Sequence, residues 1–303
     1  MITKVIEQSV SLKVVAIVVL NYNDKELLLR CLEHIEFAVY QPLQTVVVDN
    51  GSTDGSVEAV TRFHPSVHLI QNNYNAGVAG GRNIGIKWVE ENLDSDYIIF
   101  LDSDSQIEPN TIDEFVAAAN QNPIIGLVAP KAFRKKGDRE LLSAGGMYFN
   151  PYTGVLRDYA SGKIDSGQYE YSRNIQGCPG FAFLVKRTVF QHIGLFDEAF
   201  NPYGWEDVDF SLRAKRAGFR IVYAPKAIVY HAGGRAGRGV VKLYERHKAR
   251  NMFYFVRRHT TALQWLCFLC VLPVRAFWRV IKEIVTGNGS AVLAWFGISQ
   301  KTD

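Results

Sequence analysis

The chain predicts an α/β fold with a mainly parallel central sheet flanked by helices. Two observations carry this. Short apolar runs alternate with segments of helical spacing along the first hundred residues. The clearest runs are apolar without interruption, as expected of strands covered on both faces. A β-α-β-α-β-α-β alternation joins parallel strands through helices and places helices on both faces of the sheet.

Residues 14–20 form the first buried strand. Residues 24–37 follow as a helix, with Leu27, Leu28, Cys31, Leu32 and Ile35 on one side. Residues 45–48 make the second strand, which ends at Asp49-Asn50-Gly51-Ser52. Ser52 or Thr53 is placed to cap the next helix, which runs through Phe63. Residues 67–70 give a third strand, 75–81 a glycine-rich turn, and 82–92 a helix. The strand from Tyr97 then carries Ile98, Ile99 and Phe100. Residues 130–174 are less regular and predict hairpins and loops. Strand character resumes at 181–185, a helix covers 208–217 and stops at Gly218, and short strands follow at 220–224 and 227–230. Beyond Gly239 the pattern is helical.

At 303 residues, 48% hydrophobic and 21% charged, the chain can bury a full core and is not a disordered one. Its four cysteines are Cys31, Cys178, Cys267 and Cys270. No second Cys-x-x-Cys or His cluster completes a zinc site, so buried reduced thiols are expected. Residues 1–13 show no apolar signal-peptide core. The net charge of +4 is unevenly placed: from Arg235 to Lys282 eleven Lys/Arg face one acid, Glu245, leaving 23 Lys/Arg against 29 acids elsewhere. Such a segment suits anionic lipid or phosphorylated ligands. Nucleic acid is not expected, because no recognised binding module accompanies the charge. Residues 263–274 are apolar for about 12 residues, short of the roughly 20 a membrane span needs. With Trp265, Phe268, Phe277 and Trp278 nearby, an interfacial helix fits better.

The strand from Tyr97 ends in Asp102-Ser103-Asp104. Packing gives no reason for two acids at the end of a buried strand. In open α/β sheets ligands bind at the carboxyl ends of strands, and two carboxylates there suit a hard divalent cation with its phosphates. Four further constellations join them. They are Val18-Val19-Leu20-Asn21-Tyr22-Asn23-Asp24, the stretch 46–56 around Asp49, the stretch 72–85 with Gly77, Gly80, Gly81 and Arg82, and Gly204-Trp205-Glu206-Asp207-Val208-Asp209 followed by His231. A Gly-Cys-Pro-Gly segment, 177–180, precedes the last.

Taken in this order, the motifs resemble the family 2 glycosyltransferases with the GT-A fold, over about residues 14–235. The likeness is closest to bacterial and archaeal rhamnosyltransferase-like members. It implies a nucleotide-binding half at 14–105, an acceptor-binding and catalytic half at 106–235, and a basic helical tail at 236–303 with possible membrane contact. It also implies transfer from a UDP or dTDP sugar to a glycan or polyprenyl-linked acceptor, aided by Mg2+ or Mn2+.

On the donor side the resemblance assigns Asn21, Tyr22, Asp24, Asp49, Gly77, Arg82, Asp102, Ser103 and Asp104. Tyr22 can stack on a pyrimidine. Asp49 is implied to accept a hydrogen bond from the base, and Arg82 can donate to base carbonyls or a phosphate. Asp24 is either a base or ribose contact or a helix N-cap. Asp102 and Asp104, with His231 as a C-terminal ligand, would hold the metal, and imidazole beside carboxylate favours Mn2+ over Mg2+. Asp207 is the implied general base of an inverting displacement. Glu206 would orient hydroxyls, and Asp209 would pair with a helix or loop group. Gly180, Trp205 and Glu206 would face the acceptor, Trp205 as an apolar wall for a sugar. The run Tyr244 to Asn251 resembles the end of these proteins, and Arg250 could grip a lipid phosphate. No transmembrane pair and no Gln-x-x-Arg-Trp motif follow, which favours single-sugar transfer. A cytoplasmic enzyme, peripheral on the cytoplasmic face of the membrane, is expected. The alternative is a non-catalytic nucleotide-sugar or glycan-binding module on the same fold.

Overall fold

The computed structural model describes residues 13–231 and 241–286. Expectations that fall on residues 1–12, 232–240 and 287–303 lie outside the described residues. In chain order the elements are β1 (Val15–Asn21), α1 (Lys25–Glu36), β2 (Leu43–Asp49), α2 (Ser56–Phe63), β3 (His68–Gln71), α3 (Gly77–Asn92), β4 (Tyr97–Asp102), β5 (Ser105–Ile107) and α4 (Thr111–Asn120). There follow β6 (Ile125–Phe133), β7 (Leu141–Ala144), β8 (Met147–Asn150), β9 (Val155–Asp158), β10 (Arg173–Asn174), β11 (Ala182–Lys186), α5 (Arg187–Ile193), α6 (Glu206–Arg216), β12 (Arg220–His231), α7 (Val241–His259) and α8 (Ala262–Thr286).

The main sheet runs in the order β10-β12-β6-β11-β4-β1-β2-β3. β1 pairs in parallel with both β2 and β4, and β2 in parallel with β3. β11 runs against both its neighbours, β4 and β6, and β6 and β12 are again parallel. The core is therefore mostly parallel, with one reversed strand in the middle. Chain order reverses around β1, which has β2 on one side and β4 on the other. The carboxyl ends of β1 and β4 thus flank a crevice at a topological switch point. Every residue of β6 is buried, as is all of β1 except the half-buried Leu20 and all of β4 except its last residue, Asp102. Two apolar clusters, one on each face, hold the helices to the sheet.

Several local expectations are corrected. The helix assigned to 82–92 begins at Gly77, so the glycine run lies inside α3 rather than in a turn before it. A Cβ at Gly81 would stand 2.4 Å from Leu20 Cδ1, and one at Gly85 2.5 Å from Val18 Cγ1. The glycines let α3 press directly on β1. Ser52 and Thr53 do not cap α2, which starts at Ser56. Asp54 accepts from the backbone N–H and hydroxyl of Ser56 instead. The two strands at 220–224 and 227–230 are one strand, β12, with a register shift between Ala224 and Ile228 where Pro225 and Lys226 intervene. Cys31 and Cys178 are buried thiols, but Cys267 is half-buried and Cys270 exposed, because α8 turns one face outward.

The described part of the basic C-terminal segment is bound into the body. Asn251 is fully buried in α7, and its Nδ2 donates to the carbonyls of Phe200, Tyr203 (2.9 Å) and Gly204 (3.0 Å). Arg250 donates to the carbonyls of Ala199 and Asn201, so it is a brace rather than a hand held out for a lipid phosphate. Phe255 and Phe268 join α7 and α8 to Phe200 and Val208 in a third apolar cluster. Among the described residues no helix is long and apolar enough to cross a membrane.

Candidate active site

A cavity of about 1000 Å³ opens at the carboxyl ends of β1 and β4. One wall carries Asn21, Tyr22, Asp24, Gly77, Arg82, Asp102, Ser103 and Asp104. The facing wall carries Asp158, Gly180, Trp205, Glu206 and Asp207, and residues of α7 and α8 complete it. Nearly every expected site residue is therefore brought to one place.

Asp102 is the last residue of β4, and Asp104 is delivered by the two-residue link to β5. β5 pairs with the end of β12, opposing Ser105 to His231. That pairing brings His231 to the two acids from more than a hundred residues away. Its Nε2 stands 3.1 Å from Asp104 Oδ1, and its ring stacks on Phe181 with centroids 4.5 Å apart. One ligand atom from each of Asp102, Asp104 and His231 lies within 4.8 Å of the other two. Two carboxylate oxygens and an imidazole nitrogen on a shared centre form a donor set suited to Mn2+ or Mg2+. Burial pushes the Asp102 carboxyl up, and Arg82 opposes the rise. Burial lowers the His231 ring, but the hydrogen bond to Asp104 and the charges of Asp104 and Asp102 together more than offset this, so its net shift is upward. A metal bound there would displace that proton.

Arg82 is the hinge between the two walls. It is 2% exposed. Its Nη2 donates to Asp102 Oδ1 at 3.1 Å and to the Gly180 carbonyl at 2.7 Å, while its Nη1 donates to Glu206 Oε1 at 3.2 Å. The sequence offered it as a donor to base or phosphate. The structure places it as the buried counter-ion of both acid pairs, because burial demands that a guanidinium be matched by carboxylates.

Glu206 and Asp207 open α6, whose N-cap position is Trp205 in a left-handed conformation, φ 78°. Trp205 packs on Phe255 and against the edge of Phe149. Glu206 Oε2 is buried without a hydrogen-bond partner. Asp207 is pushed up to about 8, first by burial and then by the adjacent Glu206 charge, with Arg82 opposing. A Cβ at Gly180 would stand 2.8 Å from Asp207 Oδ2, so glycine is what lets the 177–180 segment pass beneath the acid. Asp209 turns the other way, fully buried, and pairs with Arg213 (2.7 Å) and His259 (2.6 Å) as expected of a helix-anchoring acid.

Two donor-side placements differ from expectation. Asp49 does not line the cavity. It is 1% exposed, and its carboxylate accepts from Asn21 Nδ2 and from the backbone and hydroxyl of Ser52. Asn21 stands in front of it, with its own Oδ1 buried and without a partner. Asp24 occupies the N-cap position of α1 but makes no capping bond, so the capping alternative falls and the residue is left as part of the cavity wall.

Sequence reading missed two residues. Asn201 caps α3 from across the chain: its Oδ1 accepts from the backbone of Ala79 (3.1 Å) and its Nδ2 donates to Ala76 O (2.8 Å). Its place just before the Gly204–Asp207 motif was the one available signal. Asp158, at the end of β9, had none.

A family profile described as Glycosyl transferase family 2 matches residues 16–194. Among curated proteins, the chain is 28% identical over 275 residues to an N-acetylglucosaminyl-diphospho-decaprenol L-rhamnosyltransferase of Mycobacterium tuberculosis, covering 82% of this chain and 85% of that one. Among solved structures, it resembles GalNAc-T7 with UDP, GalNAc and Mn2+ at a TM-score of 0.62 and 16% identity, over 78% of this chain and 48% of that one. It also resembles the mannosyltransferase PcManGT from Pyrobaculum calidifontis in complex with GDP-Man and Mn2+, at 0.59 and 19%, over 97% of this chain and 77% of that one.

Proposed function

The chain belongs to glycosyl transferase family 2 and is a glycosyltransferase of GT-A fold, and we propose that it transfers one sugar, with inversion, from a nucleoside diphosphate sugar to a hydroxyl of a glycan or lipid-linked acceptor in surface polysaccharide assembly. The observation that carries this reading is the division of acids within one cavity. Asp102, Asp104 and His231 stand together on one side, Glu206 and Asp207 on the other, and Arg82 joins the two.

In this reading the nucleoside lies over Asn21, Tyr22 and Asp24, at the end of β1. The unpartnered Asn21 oxygen is the acceptor offered to a base N–H, and Asp49 fixes the orientation of that amide from behind. Asp102, Asp104 and His231 would hold Mg2+ or Mn2+, which would neutralise charge on the departing diphosphate. Asp207 takes the proton of the acceptor hydroxyl as its oxygen attacks the anomeric carbon on the face opposite that diphosphate. A raised Asp207 suits this work, because a base near ambient pH both loses and gains a proton readily. Gly180 keeps the approach open, and Trp205 offers an apolar face to a sugar ring.

The name of the mycobacterial relative favours a rhamnose-type donor, for which dTDP is the expected nucleotide, and a polyprenyl-linked acceptor; UDP-hexose is the other donor reading. Contact with the cytoplasmic membrane surface is supported by α8, which exposes Leu266, Leu269, Val274, Phe277 and Trp278 along one face. Replacing Phe277 and Trp278 by Glu should cut co-sedimentation with anionic vesicles. Equal pelleting would remove α8 from that role. The non-catalytic alternative predicts donor binding without turnover.

The test is calorimetric titration with UDP and with dTDP, each with Mn2+ and after chelation. Metal-dependent binding is expected, and a preference between the two narrows the donor. Absence of binding to both overturns the donor site.

A further inference from the structure

The cavity contains an acid that the scheme above does not use. Asp158 ends β9, where it opposes Met147 of β8. Its Oδ1 is buried and has no hydrogen-bond partner. No salt bridge reaches it among the described residues. A buried acceptor left empty inside a ligand cavity is costly unless something fills it in the working state.

Its position is rigid. The backbone N–H of Met147 donates to Gly177 O at 2.8 Å, which pins the β8–β9 hairpin to the segment beneath Asp207. At Gly146 a Cβ would stand 2.1 Å from that same carbonyl, so no other residue allows the approach. Tyr159, the next residue, is bonded through its backbone to Gly146 and Ala144 and carries the Arg173 guanidinium 3.4 Å over its ring centroid.

Asp158 lines the same cavity as both groups and lies within reach of their charge. Its charge is felt by Asp207, and it feels the charge of His231. Burial pushes its carboxyl up to about 6, with Ser143 and His231 opposing, so at neutral pH it is mainly an anion that can only accept. A diphosphate would be repelled by it. What fits a carboxylate with an open Oδ1 in the cavity shared by the metal-ligand trio and the base is a neutral donor group, and sugar hydroxyls are that chemistry.

We propose that Asp158 is a sugar-recognition residue: its carboxylate accepts hydrogen bonds from sugar hydroxyls where the transferred sugar and the acceptor meet. This rests on the glycosyl-transfer reading. The hydroxyls belong to the donor sugar or to the acceptor, and kinetics separate the two.

The experiment compares the full chain with Asp158→Asn and Asp158→Ala. Three quantities are read: Mn2+-dependent affinity for the bare nucleoside diphosphate, KM for each sugar-bearing substrate, and Tm. Losing hydrogen bonds to a charged group should raise one KM by about ten- to a hundredfold in the Ala variant, less in the Asn variant. A rise in the donor KM assigns the donor sugar, and a rise in the acceptor KM the acceptor. Affinity for the nucleoside diphosphate should hold, and Tm should stay level or rise, because a desolvated charge without an ion-pair partner has been removed. Unchanged KM values, a loss confined to kcat, a matching loss of nucleoside diphosphate affinity, or a fall in Tm would each overturn the proposal. If the wild-type chain neither binds nucleoside diphosphate nor turns over donor, the glycosyl-transfer reading fails. If both are intact and the variants behave as wild type, Asp158 alone fails.

Discussion

The wall formed by β1, α3 and β4 takes its site residues from 21–104, most of them at or near a strand end, with His231 joining from the end of β12, whereas the facing wall gathers residues from 147 to 276 across a hairpin, a glycine segment and three helices. The first wall is held by backbone ladders: β1 is in register with β2 and β4, with Asn21 opposite Asp49 and Leu20 opposite Asp102. The second is held by single side chains. Asn251 ties α7 to three carbonyls of the loop before α6, Asn201 ties that loop to α3, and His259 anchors Asp209. A ladder shares its load over many bonds, and a single brace does not. The metal and nucleotide side should therefore tolerate side-chain loss better than the acceptor side does.

The largest test of this contrast is Asp207→Asn. Loss of a general base is worth about 10²–10⁴ in rate, while nucleoside diphosphate binding, which belongs to the other wall, should stay near wild type. Binding that fell with transfer would mean the walls are not separable. Wild-type transfer should weaken as pH drops through about 8, because the base works only when ionised and its carboxyl is raised to about 8. Glu206→Gln, which removes the like charge beside it, should move that acid limb to lower pH.

Arg82→Met attacks the one side chain that belongs to both walls. Breaking a buried pair leaves an uncompensated charge and costs about 3–5 kcal/mol. A lowered denaturation midpoint together with loss of both metal response and transfer is expected. Loss of transfer alone would confine Arg82 to the acceptor side.

Asp104→Ala sharpens the comparison from the donor wall. Metal-dependent nucleotide binding should fall at least about tenfold, the scale at which even supporting residues of metal sites act. Because the ladders remain, Tm should hardly move, which thermal scans would show.

The smallest expected effect is Asn251→Ala. Leaving buried carbonyls unsatisfied costs about 1–3 kcal/mol. Acceptor KM should rise with donor KM steady, since α7 braces only the second wall. An equal rise in both would erase the distinction between the walls.

How much was legible follows the same division. The strand ends were readable because an apolar run that stops in Asp102-Ser103-Asp104 combines a buried ladder with chemistry that packing does not need. The Glu206-Asp207 pair was readable because it exceeds what a helix start requires. Arg82 was legible as important but not in its role, since a periodic pattern does not show which acids a guanidinium will meet. Asp49, expected on the donor side together with Asn21, stands behind it for a similar reason. Both end strands, and only the packing of Ser52 against Asp49 decides which one faces the cavity.

The sequence by itself determined the alternation of elements, the parallel core and the family. These depend on local periodicity and on neighbours close in the chain. Tertiary structure alone decided that β5 and β12 bring His231 to Asp104, that Asn201 caps α3, that α7 braces the loop before α6, and that Asp158 reaches the cavity that holds both groups of acids. Each of these joins residues far apart in the chain through one or a few directional bonds. Such bonds impose no period on the sequence, so nothing short of the folded chain reveals them.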